Sequence, residues 1–321
     1  MSGSKVQVNM NDVAVELKDL TKDYQVGFLK KRTVRALDHL NLKVNRGEIF
    51  GFLGPNGAGK TTTLKILMQL IFPTSGYAEI LGNPLNDSNT RALIGYLPEN
   101  PYFYDYLTGI ELLEYSAALF NIPKPEAKTR ARELLEKVGL ESERSSRQLR
   151  KYSKGMLQRI GIAQSLINDP EIIFMDEPMS GLDPIGRREV RDLMLSLRKQ
   201  NKTIFFSSHI LSDVEALCDR AAILMKGKLV KHGTIQELTG EQDASMEVVA
   251  VGLNESTLQQ LSREVANLLS VNRTPNGVQL LIKDESQVEN IIKLLHDAGG
   301  KLISVMPRRT SLEEIFSNSS K

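Results

Sequence analysis

Apolar and polar residues follow two different patterns along the first two thirds of the chain. Short runs rich in β-branched and other apolar residues predict strands at residues 47–53, 171–175, 202–208 and 221–225. Longer stretches with apolar residues at helical spacing predict helices at residues 61–70, 109–120, 124–138, 156–168, 187–200 and 211–218. This alternation runs from residue 13 to about residue 231 and predicts an α/β layer fold with a largely parallel sheet.

Residues from about 100 to 168 depart from this alternation, because nearly all of them have helical spacing. We interpret this stretch as a helical subdomain inserted into the sheet domain. A polar linker, TGEQDAS at residues 239–245, follows the first domain, residues 1–238. The pattern therefore predicts a second domain over residues 246–321.

The second domain shows an order of short elements. Strands are predicted at residues 246–251, near Val271, at 278–283 and at 301–306, and helices at 257–268 and 287–298. Gly299 is predicted to end the second helix, because glycine accepts the left-handed conformation common after a helix. This βαββαβ order predicts a small α+β sandwich of ferredoxin-like type.

The composition excludes several classes of protein. The 321 residues are 41% apolar and 25% charged, as in ordinary globular proteins, and a net charge of +2 is too small to predict nucleic acid as a partner. A single cysteine, Cys218, excludes a disulfide framework, disfavours a cysteine zinc site and fits a reducing cytosol. The N-terminal stretch lacks the apolar core of a signal peptide, and no run approaches 18 apolar residues. We therefore expect a cytoplasmic protein that needs a separate spanning partner for any role at a membrane.

The stretch FLGPNGAGKTTTLKIL carries a phosphate-binding pattern, the P-loop, with Lys60 and Thr61 at its end. A strand is predicted before it and a helix after it, the context in which backbone N–H groups form an anion-binding nest. Lys60 is placed to reach the β- and γ-phosphates, the Thr61 hydroxyl to bind Mg²⁺, and Thr62 to donate to the α-phosphate. The alternative is a structural glycine turn. The predicted nucleotide-binding residues are Gly54, Pro55, Asn56, Gly57, Ala58, Gly59, Lys60, Thr61 and Thr62.

Two acidic residues, Asp176 and Glu177, follow the predicted strand in IIFMDEP. An aspartate at the carboxyl end of a strand beside a P-loop holds the coordination shell of Mg²⁺. Glu177 comes next and points to the other side of the strand end, where a carboxylate can orient a water for attack on the γ-phosphorus. Taken alone, two acids after a strand also fit a helix N-cap or a solvated turn.

A second anion site is predicted in KYSKGMLQRI, residues 151–160, where a serine and a glycine stand just before a helical run. A helix start offers free N–H groups and the positive end of the helix dipole. The chain thus has two phosphate-binding patterns far apart in its sequence.

Five motifs, in order and at similar spacing, resemble those of the ATP-binding cassette (ABC) ATPases. They are the P-loop at residues 54–62, YSKGMLQR at 152–159, IIFMDEP at 172–178, SGLDP at 180–184 and SSH ending at His209. The resemblance covers about residues 13–235. The linker and the second domain are similar to the appended region of exporter-type (ABC-2-like) ATPases, whose membrane partners are separate chains.

The resemblance implies a head-to-tail pair of nucleotide-binding domains, in which each ATP lies between one P-loop and the signature motif of the other subunit. Ser153, Lys154 and Gly155 of the signature would then contact an ATP that a partner subunit holds. The partner is a second copy of the chain or a related ATPase subunit. Asp183 matches the loop that crosses to the partner site.

The resemblance also assigns roles around the P-loop. Tyr24 matches the aromatic residue that stacks on adenine, and stacking requires only a flat ring. His209 matches the switch histidine, which contacts the γ-phosphate and helps to settle the attacking water. Glu99, in IGYLPEN, matches a metal-binding and γ-phosphate-sensing position. The implied catalytic set is Glu177, His209 and Lys60.

Three positions depart from the pattern of the family. Glu99 stands where glutamine is usual, although a carboxylate is still an oxygen ligand for Mg²⁺. Lys154 replaces the first glycine of the signature, and Met156 replaces its glutamine. Lys154 either adds positive charge near the phosphates or faces solvent.

The function implied is an ATP-hydrolysing motor subunit that couples dimer closure to export by a separate transmembrane permease. The chain would then be peripheral on the inner face of the cell membrane. One alternative is a soluble, non-transport ABC protein, but the chain has a single motif set and no sustained heptads. Another is a regulatory module with low turnover, against which the intact Lys60, Asp176, Glu177 and His209 argue.

Overall fold

The computed structural model describes residues 12–27, 31–140, 146–239, 245–253, 258, 268–274, 277–283 and 287–308. The chain divides into two compact units, Met1–Ile235 and Gln236–Lys321. The helix predicted at residues 257–268 and the linker at 239–245 lie mostly outside the described residues. Both therefore stay predictions.

Two sheets form the first unit. Its strands are β1 (Val13–Val26), β2 (Arg32–Asn45), β3 (Ile49–Leu53), β4 (Ser75–Ile80), β5 (Asn83–Pro84), β6 (Ile94–Leu97), β7 (Ile172–Asp176), β8 (Thr203–Ser208), β9 (Arg220–Met225) and β10 (Lys228–Thr234). The larger, six-stranded sheet has the order β10-β9-β3-β8-β7-β6. Five of its strands pair in parallel and β10 joins β9 antiparallel, so the predicted α/β fold is confirmed.

The centre of this sheet is buried on both faces, as expected for parallel strands that read as continuous apolar runs. The ring of Phe205 on β8 lies 5.3 to 5.6 Å from those of Phe50, Phe52 and Phe174 on the flanking strands. Because β3, β7 and β8 are parallel, their carboxyl ends meet at one edge. The P-loop, the acidic pair and the SSH motif therefore follow strands that end side by side.

None of the strands of the smaller sheet was among those predicted from the sequence. It is four-stranded and antiparallel, in the order β2-β1-β4-β5. The pairing of β1 with β2 has register shifts between Val13 and Asp23, and Asp19 and His39 have left-handed φ of 49° and 51°. Each shift breaks the two-residue alternation that identifies a strand, which is the physical reason for the omission.

The helices of the first unit agree with most predicted positions. They are α1 (Lys60–Leu67), α2 (Ser88–Arg91), α3 (Gly109–Leu119), α4 (Lys124–Lys137), α5 (Lys154–Ser165), α6 (Pro184–Lys199) and α7 (Leu211–Leu217), and α8 (Ile235–Thr239) lies at the unit boundary. α3, α4 and α5 all lie between β6 and β7, which are neighbours in the sheet, so they form the predicted helical insert. α5 and α6 begin earlier than predicted, because Ser153 and Asp183 cap them. None of the described helices is long and apolar enough to cross a membrane.

Gly95 on β6 is where this insert meets the sheet most closely. A Cβ at Gly95 would lie less than 3.0 Å from the carbonyl oxygen of Ser165, the last residue of α5, and against the ring of Pro170. Because the obstacle is backbone, the helix end itself would have to move. We expect Gly95→Ala to lower the free energy of unfolding by about 1–3 kcal/mol or more, measured by urea denaturation. An unchanged midpoint would contradict this packing.

The second unit contains β11 (Ser245–Val251), β12 (Leu268–Thr274), β13 (Gly277–Ile282), α9 (Val288–Asp297) and β14 (Lys301–Arg308). All its strand pairs are antiparallel and the order is β12-β13-β11-β14. β13 lies between β11 and β12, which is the split arrangement of the predicted ferredoxin-like fold. Gly299, with φ of 73°, ends α9 as predicted, and the N–H of Gly300 donates to the Leu295 carbonyl.

Candidate functional site

The P-loop connects β3 to α1 and has the backbone geometry that its glycines predict. Gly57 and Gly59 have φ of 80° and 111°, in the left-handed region that side chains disfavour. A Cβ at Gly59 would also lie 2.6 Å from the carbonyl oxygen of Ala36 on β2. Gly59 is the N-cap of α1 and provides no side-chain cap. The N–H groups at the start of α1 can therefore bind an anion.

A cavity of about 620 Å³ opens above the P-loop. Its lining brings together most of the predicted site residues, and Gly54 and Ala58 lie buried in the loop behind it. Two further residues line the cavity: Ala36, which the sequence patterns did not select, and Ser180, the first residue of the SGLDP motif. The lining residues are Ala36, Pro55, Asn56, Gly57, Gly59, Lys60, Thr61, Thr62, Glu99, Glu177, Ser180 and His209.

A chain of three charged or titratable groups crosses the cavity. The Nζ of Lys60 donates to the Gly54 carbonyl at 2.7 Å and lies 3.4 Å from Oε1 of Glu177. Oε2 of Glu177 lies 2.9 Å from Nδ1 of His209. Lys60 and Glu177 are almost fully buried, so solvent screens the attraction between their opposite charges less than at an exposed surface.

The backbone at Glu177 is strained. Its φ of 51° lies in the left-handed region, which costs a residue other than glycine about 1–3 kcal/mol. The N–H of Ser180 donates to the Glu177 carbonyl at 3.0 Å and closes a turn. This turn brings the Glu177 side chain into the cavity, whereas the preceding Asp176 remains in β7 and is only 1% exposed.

Ser207 on β8 fastens this acidic pair to the sheet; it belongs to the SSH motif, but sequence reasoning assigned it no role. Its hydroxyl donates to Oδ1 of Asp176 at 2.5 Å and accepts from the N–H of Glu177 at 3.0 Å. The available signal was the polar end of the predicted strand KTIFFSS, where two serines follow a run of apolar residues. Burial of the neighbouring Tyr96 hydroxyl, together with the negative charge of Asp176, raises the pKa of Tyr96 to about 12.

We expect Ser207→Ala to destabilise the protein by about 1–3 kcal/mol, because a buried carboxylate oxygen and a buried N–H each lose a partner. ATP hydrolysis should fall as well, since the Glu177 turn loses its anchor. Urea denaturation and phosphate release measure the two effects. Ser165→Ala is the control, because its buried hydroxyl donates to a carbonyl of its own helix. Equal stability losses in both variants would contradict the anchoring role of Ser207.

The donor set at the cavity fits Mg²⁺ bound together with phosphates. The described residues contain no cluster of three histidine, cysteine, aspartate or glutamate side chains for a protein-only metal site. Mg²⁺ commonly takes one or two carboxylates and completes its oxygen shell with phosphates and water. The Thr61 hydroxyl and the Glu99 carboxylate line the same cavity, and Asp176 ends the strand behind it.

The second predicted anion site lies in a different cavity of about 450 Å³. Ser153 caps α5, and its Oγ accepts from the N–H of Met156 at 3.3 Å. A Cβ at Gly155 would meet only ordinary contact, 3.5 Å from Leu182, so the fold of this chain does not itself require a glycine there. The cavity lining is Gly139, Leu140, Ser153, Gly155, Met156, Arg159, Leu182 and Asp183.

Lys154 is exposed and lies over the SGLDP loop. Its terminal carbons and Nζ would be within 2.6 to 2.9 Å of a Cβ added at Gly181, whose φ is 72°. Asp183 in the same loop caps α6 through a 2.7 Å hydrogen bond from the Gly186 N–H. The lysine thus covers the loop next to the second cavity.

Tyr24 does not line the P-loop cavity. It pairs across the sheet with Val34, two residues before Ala36, which does line it. One side of its ring is covered by the Lys22 ammonium, with Nζ 5.1 Å from the ring centroid. Its assignment to adenine stays a prediction.

Comparisons with known proteins give a consistent set of relatives. A family model described as ABC transporter matches residues 37–180. The chain is 46% identical to an uncharacterized ABC transporter ATP-binding protein of Synechocystis, over 94% of this chain and 83% of that one. It is 37% identical to the bacitracin transport ATP-binding protein BcrA of Bacillus licheniformis, over 94% and 95%. A solved dimer of the ATP-binding cassette MJ0796, bound to ADP and Pi, is similar with a TM-score of 0.64 and 28% identity, over 69% of this chain and 98% of that one.

Proposed function

Because the chain belongs to the ATP-binding proteins of ABC transporters, we propose that it is the motor subunit of a transporter whose membrane-spanning part is a separate chain. The main observation behind this proposal is the row of three side chains across the P-loop cavity, Lys60, Glu177 and His209. These are the groups that ATP hydrolysis requires. The chain would then act at the inner face of the membrane.

ATP would bind with its phosphates against the P-loop. The N–H groups of residues 56–62 and the Lys60 ammonium would donate to phosphate oxygens, and Lys60 would exchange its bond to the Gly54 carbonyl for one to phosphate. Thr61 and Glu99 would hold Mg²⁺, with Asp176 behind them. The ion would supply positive charge, which offsets the negative charge of the phosphates.

Glu177 would orient and deprotonate the attacking water. Its carboxylate lines the cavity and has one oxygen near Lys60 and the other near His209. When Lys60 turns to the phosphates, Oε1 of Glu177 becomes available to a water. His209 would hold the carboxylate and contact the γ-phosphate, so the water is placed in line with the bond that breaks.

The second anion site would complete the ATP site of a partner subunit. Ser153 and Gly155 lie in a different cavity from the P-loop, together with Asp183, so one chain offers two unlike halves of a site. A two-fold head-to-tail pair joins unlike halves at both positions. The absence of a glycine requirement at Gly155 within this chain supports close approach of something from outside. The partner is a second copy or a related ATPase subunit.

Export is the proposed direction of transport. The similarity to the bacitracin transport protein covers 94% of this chain, so it extends into the second unit, whereas the MJ0796 cassette matches 69% of the chain. We place the chain among exporter-type subunits that carry such an appended α+β unit. The name of that relative contains bacitracin, so bacitracin is the first compound to test as a probe of the substrate class.

The test is an affinity pull-down of the tagged chain from detergent-solubilised membranes of its own source. We expect a polytopic membrane protein to co-purify and, after reconstitution in vesicles, ATP hydrolysis by the complex. Loss of the chain should increase bacitracin susceptibility if that substrate class is right. Recovery of ribosomes or DNA without any membrane protein would overturn the transport assignment, and a complex without phosphate release would favour a regulatory module.

A further inference from the structure

Lys22 lies against one face of the Tyr24 ring. The two residues are both on β1, and Nζ of Lys22 is 5.1 Å from the centroid of the ring, within the range of a cation–π interaction. The same Nζ donates a 2.6 Å hydrogen bond to the carbonyl of Phe72. The ammonium is thus held in place from a second side, and its position limits the movement of the ring.

The segment of β1 around Tyr24 is also fastened to the part of the chain that follows α1. The N–H of Asp23 donates to Oγ1 of Thr74 at 2.9 Å, and the N–H of Thr74 donates to the Thr21 carbonyl at 2.8 Å. Residues 68–74 connect α1 to β4. Since α1 begins at the P-loop, these contacts tie the strand that carries Tyr24 to the element that would hold the phosphates.

We propose that Lys22 is a positioning residue for the nucleotide base, which holds the Tyr24 ring so that its other face is presented to adenine. This inference rests on the proposed role of Tyr24. A ring that is already held loses less freedom when the nucleotide binds, so the stacking contact gives more affinity. The lysine occupies one face of the ring, so the base would stack on the other.

The contributions of the base and of the phosphates to binding affinity can be measured separately. Inorganic tripolyphosphate with Mg²⁺ has the phosphates of ATP and no base. We expect Lys22→Met, which keeps the length of the side chain and removes its charge, to weaken ATP binding about two- to fivefold. Tripolyphosphate binding should stay unchanged, because no phosphate contact is lost. Lys22→Arg should bind ATP as the parent does, because arginine also stacks on aromatic rings.

Lys18→Met is the matched control. Lys18 is on the same strand, and its Nζ lies 5.0 Å from the ring centroid of Tyr77 on β4, so the variant removes a similar contact elsewhere. We expect it to leave both affinities unchanged. The melting temperature of every variant shows whether the fold is intact, and in a Tyr24→Leu background Lys22→Met should have no further effect.

The possible outcomes distinguish the positioning role of Lys22 from the stacking role of Tyr24. An equal loss of ATP and tripolyphosphate affinity in Lys22→Met would mean that the lysine acts on the phosphates or the fold, and would overturn the inference. Unchanged ATP affinity in Lys22→Met, with weaker ATP binding in Tyr24→Leu, would also overturn it while leaving the role of Tyr24 intact. Unchanged ATP affinity in Tyr24→Leu would instead contradict the stacking role of Tyr24 itself.

Discussion

ATP hydrolysis by the Glu177→Gln variant is expected to fall by about 10²- to 10⁴-fold, the usual contribution of a general base, while ATP binding persists. Glutamine has almost the shape of glutamate and still offers an oxygen to Lys60 and a hydrogen-bonding group to His209. It cannot accept a proton from water at neutral pH. The change therefore slows the chemical step, while the side chain at residue 177 keeps its volume in the cavity.

The same variant should accumulate as an ATP-bound dimer, because in the proposed cycle closure would need ATP in both sites and reopening would need its hydrolysis. Size-exclusion chromatography with ATP and with ADP measures this state, and phosphate release measures turnover. Glu133→Gln is the control, since it makes the same change on an exposed position of α4. Near-normal phosphate release by Glu177→Gln would refute the assignment of Glu177 as base.

The sequence predicted the residues of the site better than their contacts. The buried strands β3, β7 and β8 are continuous apolar runs, and each ends at a residue with recognisable chemistry, so the P-loop, Glu177 and His209 could be placed at one edge. Their mutual distances could not be predicted, because residues far apart in the chain meet only through the register of the sheet. The approach of Glu177 to Lys60 and His209 is such a contact.

Two kinds of feature escaped prediction for physical reasons. The antiparallel sheet has register shifts and left-handed residues such as Asp19 and His39, and these break the alternation that marks a strand. Ser207 contacts the acidic pair only across the fold, and Lys22 is held beside Tyr24 by the carbonyl of Phe72, a residue far away in the sequence. Serine in a strand and lysine on a surface are ordinary when seen alone.

Ser153→Arg is expected to abolish ATP-driven dimerisation while ATP still binds to the P-loop of each monomer. The two cavities are separate, so a change at Ser153 leaves the residues that line the P-loop cavity in place. Arginine cannot cap α5 as the serine hydroxyl does, which costs about 0.5–2 kcal/mol of helix stability. Its long side chain would also fill the space into which the partner's γ-phosphate must come.

Two further variants at this position separate the lost cap from the added bulk. Ser153→Thr keeps a capping hydroxyl, and Ser153→Ala removes the cap without adding volume. In the Glu177→Gln background, which holds any closed dimer, we expect dimers with Thr, fewer with Ala and none with Arg. Nucleotide affinity, measured at concentrations that keep the chain monomeric, should stay within about twofold of the parent, which is under 0.5 kcal/mol. The reason is that Ser153 does not line the P-loop cavity.

The decisive question is whether hydrolysis at the P-loop cavity of one subunit depends on the second cavity of its partner. If the chain hydrolysed ATP as a monomer, the P-loop, Glu177 and His209 would suffice, and Ser153→Arg would keep its full rate. The proposed head-to-tail pair predicts otherwise, because Ser153, Gly155 and Asp183 surround a cavity separate from the one that Lys60 and Glu177 line, and that cavity would complete the site of a partner. We therefore expect Ser153→Arg to lose hydrolysis in step with dimerisation. Full-rate hydrolysis by a monomeric Ser153→Arg chain would show that the second cavity serves no nucleotide.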